Sequence, residues 1–171
     1  MTKAAAVKPA QESIPVAIGI EGRDRKRLAA LLEQALADTY VLYAKTQGVH
    51  WNVAGREFYG IHKMTEEQYD DLAESVDELA ERIRAIGYLA PTGLSRFLEL
   101  SSIKEAPGDL KPAEMCEALA RDHQACAKGL REAVKEAEDV DDVFTADMLT
   151  ARIGKHEKFA WMLRATARDP R

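Results

Sequence analysis

The sequence predicts an all-α fold: a four-helix bundle with a short extra helix in the long crossover between helices two and three. Three observations lead there. Apolar residues recur at steps of three and four through four long segments, the pattern of helices with one buried stripe. The first and second segments are joined by a short turn, so they return on each other as an antiparallel pair. Between the second and third, Pro91, Gly93, Pro107, Gly108 and Pro112 punctuate a much longer interval, which has to cross the bundle.

The elements follow in order. Residues 1–20 read as a flexible N-terminal tail, with Pro9, Pro15, Lys3 and Lys8 and no sustained period; the alternation of Val16, Ile18 and Ile20 suits an extended arm at its end. The first helix is expected from Arg23 to Val49, with Leu28, Leu32, Leu36 and Leu42 on its buried side. It runs into Gly48-Val49-His50-Trp51-Asn52, and the turn follows at 52–56. Glu57 to Gly87 reads as one helix of about eight turns. Ile61, Met64, Leu72, Val76, Leu79, Ile83 and Ile86 form its apolar stripe. Leu94 to Leu100 fits a brief helix in the crossover. The third long helix is expected over 113–138, then an acidic turn over 139–144. Thr145 is the expected N-cap of the fourth, which runs to Ala167. Residues 21–167 thus form one domain, and 168–171 a short C-terminal tail.

Composition narrows the function classes. The formal net charge of −5 argues against a dedicated nucleic-acid binder and suits a protein that attracts cations. Cys116 and Cys126 are the only cysteines. Ten residues apart on one helix, they face different ways and read as reduced thiols, as in a cytoplasmic protein. No apolar run is long enough to span a membrane, so no membrane partner is expected.

The chemistry sits on the second helix. His62 and Glu66 are four residues apart and share a face, as do Asp77 and Glu81. At about 100° per residue the two pairs point within about 60° of each other, yet lie about 22 Å apart along the axis. No single metal ion bridges that distance. A second copy of the helix, antiparallel across a two-fold axis near Asp71 and Leu72, sets each pair against the other and makes two sites per dimer. Any two such pairs can be matched this way, so the informative part is the residue types. Glutamates and aspartates on a long helix usually form a solvated face, and a lone histidine is more often structural. Bundle-centre di-iron sites usually carry a glutamate three residues before a histidine. Here Gln47, Tyr59, Ala120 and Ile153 hold those positions. The candidates that remain are His50, His62, Glu66, Asp77 and Glu81, an imidazole and carboxylate set suited to iron or another first-row divalent ion.

KTQGVHWNVAGREFYGIH, VDELAERIRAIG and HEKFAWMLRA together resemble the Dps proteins, the ferritin-like miniferritins. The resemblance covers nearly everything from Asp24 to Ala167. It implies a ferritin-like four-helix bundle assembled from two-fold dimers into a hollow homododecamer. It implies a ferroxidase site between subunits, holding at most two irons, with His50 and His62 from one chain and Asp77 and Glu81 from its mate. Glu66 occupies a position where the family commonly has a carboxylate. The implied activity is oxidation of Fe2+, with hydrogen peroxide or oxygen as oxidant, and storage of ferric iron, which protects DNA. By the same analogy Trp51 and Trp161 lie near the site in a redox-buffering role, with core packing as the other reading of both. Acidic pores would be lined by Glu138, Asp142 and Asp147, with a solvated turn as the plainer alternative. His156 reads as structural and His123 is unassigned.

A second function reading is a structural nucleoid protein that binds and condenses DNA without sequence preference. Its contacts would come from Lys3 and Lys8 at one end and Arg168 and Arg171 at the other. Weak cationic tails gain affinity when repeated around an oligomer.

Overall fold

The computed structural model describes residues 11–105 and 108–168. It contains α1 (Gly22–Asn52), α2 (Phe58–Ala85), α3 (Leu94–Leu100), α4 (Pro112–Asp139) and α5 (Val143–Ala167). α1 and α2 form one antiparallel hairpin, α4 and α5 a second, and α1 packs on α4 to join them. The short α3 lies against α1 in the crossover.

Local chemistry explains the helix ends. α1 continues through Gly48 to Asn52, three residues beyond the expected end. A helix-interior glycine costs only about 1 kcal/mol, and burial of His50 and Val53 offsets it. α4 starts with Pro112 at its first position, while Glu114 accepts a hydrogen bond from the Lys111 backbone N–H at 2.8 Å. α5 is capped by Asp142 rather than Thr145: the Asp142 carboxylate accepts from the Thr145 N–H at 3.1 Å and its hydroxyl at 2.7 Å. A threonine inside the first turn can donate to such a cap, and this moves the helix start back two residues from Thr145.

The apolar interior falls into two clusters. One gathers Leu28, Leu32, Leu36, Leu79, Ile83, Leu130 and Leu149; the other gathers Leu42, Ile61, Leu72, Leu119, Cys126 and Leu163. Polar side chains are buried as well, among them Asp38, Gln68, Ser75, His123, Arg152 and His156. Asp38 secures the crossover, accepting from the Ser101 hydroxyl at 2.8 Å and the Ser102 N–H at 2.6 Å. Both cysteines are buried free thiols. Burial pushes the Cys116 thiol up to about 11, so it stays protonated and unreactive at neutral pH.

The segment before α1 runs extended beside the end of α2. Ser13 N–H donates to Gly87 O and Leu89 N–H to Gln11 O, both at 2.9 Å. The buried Arg25 guanidinium reaches the Ile86 carbonyl at 2.8 Å. Gly87 turns the chain with φ 98°, in the left-handed region that favours glycine.

No helix among the described residues is long and apolar enough to cross a membrane.

Candidate metal centre

The α1–α2 turn sets the last full turn of α1 beside the first turns of α2. His50 comes from one side of it and His62 from the other. Their rings stack, with centroids 3.7 Å apart and planes 19° from parallel. His50 Nδ1 lies 2.9 Å from His62 O, and His62 Nδ1 lies 2.9 Å from His50 O. A carbonyl oxygen only accepts, so both Nδ1 atoms carry the proton. Each Nε2 is therefore left with its lone pair, the form in which imidazole binds a metal. The two bonds make the pair self-orienting.

Two rings flank the histidines. Tyr69 meets His50 edge-on at 5.1 Å between centroids, and Phe58 stacks on His62 at 5.0 Å. Sequence reasoning missed both. A helical signal existed: Tyr69 is two turns beyond His62 and Phe58 one turn before it, on the same side.

Glu66 follows His62 by one turn and pairs with Lys63 at 2.5 Å. That hydrogen bond and the Lys63 charge outweigh the effect of burial and hold its carboxyl below the usual range. Asp77 and Glu81 are both exposed on α2, about 22 Å further along by helix rise. Neither makes a hydrogen bond or ion pair among the described residues. Within the chain, no three His, Cys, Asp or Glu side chains converge on one point among the described residues. The structure thus brings His50 and His62 together and leaves Asp77 and Glu81 as a free carboxylate pair elsewhere on the helix.

Of the two residues near which the two-fold axis is expected, Leu72 is fully buried in the core and Asp71 is engaged by Arg152 and by Lys155 at 2.7 Å. The apolar stripe and the ligand face lie on different sides of α2. Midway between the two ligand pairs, the residues on the ligand face are Asp70 and Ala73, both exposed.

The remaining expected residues are dispersed. Trp51 follows His50 but points outward, 68% exposed. Trp161 is also exposed, in a concavity of about 530 Å³ between α4 and α5 with Gln124, Arg131, Glu157 and Arg164. Neither indole stacks on His50 or His62 among the described residues. His123 and His156 form their own pair in the core, Nδ1 to Nδ1 at 2.8 Å. Burial lowers the pKa of both, His123 to about 3. Of the acidic residues expected at pores, Glu138 and Asp147 are exposed, whereas Asp142 is buried and grips Arg82 Nη2 with both oxygens, at 2.6 and 2.7 Å. Burial pushes its carboxyl up, but the bonds from Arg82 and Thr145 outweigh this and hold it below the usual range. It is a structural cap rather than a free carboxylate. Arg168 is exposed just past α5. Lys3, Lys8 and Arg171 lie outside the described residues.

The family model for the ferritin-like domain matches residues 29–171. The DNA protection during starvation protein of Brevibacillus brevis is 40% identical over 138 residues, covering 81% of this chain and 93% of that protein. The crystal structure of a Dps protein from Bacillus brevis superposes with a TM-score of 0.82 at 38% identity, over 85% of this chain and 98% of that one. A Dps protein from Vibrio cholerae, described as a member of a broad superfamily of ferritin-like diiron-carboxylate proteins, gives 0.81 at 29% identity, over 88% and 98%.

Proposed function

This chain belongs to the Dps family of ferritin-like proteins, and from that premise we propose that it oxidises Fe2+ at sites shared between two subunits. Each site takes His50, His62 and Glu66 from one chain and Asp77 and Glu81 from its two-fold mate. The observation that carries the proposal is the reciprocal bonding of His50 and His62. It presents two lone-pair nitrogens side by side, with too few partners among the described residues of their own chain to complete a coordination shell. The unpaired, exposed Asp77 and Glu81 supply what is missing. Ala73 at the crossing point lets two α2 helices approach closely.

The chemistry follows from the donor set. Carboxylates are hard anions that favour Fe3+ over Fe2+ and so promote electron loss. Two Fe2+ ions at one site give two electrons to one hydrogen peroxide, which takes two protons and leaves as water without releasing hydroxyl radical. Oxygen is the alternative oxidant. A site with few protein ligands keeps positions open for the oxidant. Ferric iron then collects inside a dodecameric cage built from these dimers. Glu138 and Asp147 are the carboxylates free to guide Fe2+ inward. Protection of DNA follows from removal of iron and peroxide together. Direct, sequence-independent DNA contact would come from Lys3, Lys8, Arg168 and Arg171.

The test is Fe2+ titration of the purified cage without oxygen, then with peroxide, followed by iron counting. Two Fe2+ oxidised per peroxide, with iron retained by the protein, is the expected result. Iron that oxidises only at the rate of buffer would overturn the proposal.

A further inference from the structure

The centre of the bundle carries more polar groups than its own bonds satisfy. His123 on α4 and His156 on α5 are fully buried and joined Nδ1 to Nδ1 at 2.8 Å. Burial, with the Arg152 charge acting on both, keeps the two rings neutral. One Nδ1 therefore carries the proton and the other accepts it. The outer nitrogens are then complementary: one Nε2 is a lone-pair acceptor and the other an N–H donor. Neither has a hydrogen-bond partner among the described residues. Gln68 on α2 is also fully buried, and both ends of its amide lack a partner in the same sense. Register brings it to the level of the pair. Across α2 and α5, Asp71 meets Arg152 and Met64 meets Thr166. Gln68, between Met64 and Asp71, therefore stands level with the part of α5 that carries His156. The Arg152 Nε, one turn from His156, is buried and unpartnered as well.

Buried polar groups without partners are costly, and native proteins satisfy them. The donor set decides what does so here. A metal ion takes lone pairs only, but this set includes an imidazole N–H, an amide NH2 and a guanidinium N–H, and the Arg152 charge repels a cation. An anion takes donors only, but the second imidazole lone pair and the Gln68 carbonyl repel it. Water both donates and accepts, and an internal water takes roughly two to four such partners.

We propose that internal water is bound at the bundle centre, bridging the outer nitrogens of His123 and His156 to the Gln68 amide. This site stands apart from the ferroxidase reading, since none of the three residues is among its ligands. It gives the bundle centre, where ferritin-like di-iron proteins project their metal ligands inward, a different occupant. The water also opens a second arrangement of the pair. It donates a proton to the lone-pair Nε2, the central proton crosses to the other Nδ1, and the second ring returns its outer proton to water. One proton enters and one leaves, both rings stay neutral, and their tautomers are exchanged.

The experiment is a high-resolution crystal structure of the intact cage without metal, then after a Zn2+ soak read by anomalous scattering. The expected result is water density within hydrogen-bond distance of both Nε2 atoms and of the Gln68 amide, with no zinc peak there. A dry centre, or zinc bound by His123 or His156, would overturn the proposal whether or not the cage oxidises iron. Gln68→Leu, close in size, should lose the bridging water and keep the His123–His156 bond, with Fe2+ oxidation equal to wild type. The same water density in Gln68→Leu would remove Gln68 from the site. Solid-state nitrogen resonance of the wild-type cage, labelled at histidine, reads the tautomers without any substitution. Both neutral tautomers should be found for His123 and for His156, and one fixed tautomer on each ring would overturn the exchange.

Discussion

His50 and His62 each donate from Nδ1 to the other's backbone carbonyl at 2.9 Å. Each residue thus orients the ring of the other. The carbonyls survive any side-chain replacement, so removing one ring leaves the other still oriented. His50→Ala and His62→Ala are each expected to weaken Fe2+ binding by at least tens-fold, about the size seen when metal-site partners are lost. The double variant should be little worse than either single one, because a site lacking one ligand already fails. Anaerobic calorimetric titration with Fe2+ checks this. Full additivity of the two losses would show that the rings act independently.

The other histidine pair governs stability rather than chemistry. His123 has its folded pKa lowered from 6.5 to about 3 by burial, and His156 is lowered in the same sense. The unfolded chain therefore binds more protons than the folded one across that window. The stability associated with the neutral pair is complete above 6.5 and is lost as pH falls toward 3. The slope is about 1.4 kcal/mol per pH unit for each histidine involved. Melting temperature should hold steady above neutrality and drop as pH goes from 6 to 5. No drop in that interval would contradict the buried pair. His123→Ala should lower the melting temperature while leaving Fe2+ affinity unchanged.

Gly87 is required by both conformation and space. A Cβ there would lie 2.8 Å from Arg25 Nη1 and 3.0 Å from Ile14 O, at a φ of +98°. Gly87→Ala should cost about 1–3 kcal/mol from backbone strain and loosen the segment at 11–13. Urea unfolding measures the first, and faster proteolysis near Ser13 the second.

The proposed crossing of two α2 helices separates a surface effect from a core effect. Ala73→Arg introduces bulk and charge on an exposed position and should shift dimers toward monomers in sedimentation without lowering the monomer's stability. Leu72→Ala opens the core and should cost about 2–5 kcal/mol. If Ala73→Arg leaves assembly unchanged, the two-fold axis lies elsewhere.

DNA contact, if made through the tails, works by counterion release and is independent of sequence. Retardation in a gel should fade between roughly 50 and 200 mM salt. Removing residues 1–10 takes Lys3 and Lys8 and spares the backbone bonds of Gln11 and Ser13 with the end of α2. The shortened cage should shift DNA less while keeping iron oxidation. Unchanged retardation would place the contact at Arg168 and Arg171.

Helix number, order and approximate span were legible in the sequence because a buried stripe repeats with the helix period. The crossover helix over Leu94–Leu100 was equally plain between its flanking breakers. Asp142 was harder to place. It reads as one more acid in a turn until Arg82, sixty residues earlier, is seen to grip it. Leu72 shows the limit of counting along a single helix. Leu72, named at the midpoint between the two pairs, lies on the buried face, because only packing reveals which side α1 and α5 occupy. The His50–His62 bonds depend on the exact seating of α1 against α2, which no spacing rule expresses. Tyr69 escaped notice for the same reason: its partners come from another helix.

The shared site is tested most directly by complementation between two inactive variants. Cages of His62→Ala alone and of Glu81→Ala alone are each expected to lose Fe2+ oxidation by peroxide. In a mixed two-fold dimer, one site inherits both defects and the other receives His50 and His62 from the Glu81→Ala chain and intact carboxylates from the His62→Ala chain. Co-refolding equal amounts should then restore about a quarter of wild-type activity, since half of random dimers are mixed and each holds one whole site. No restoration in cages verified to contain both chains would contradict a site divided between subunits.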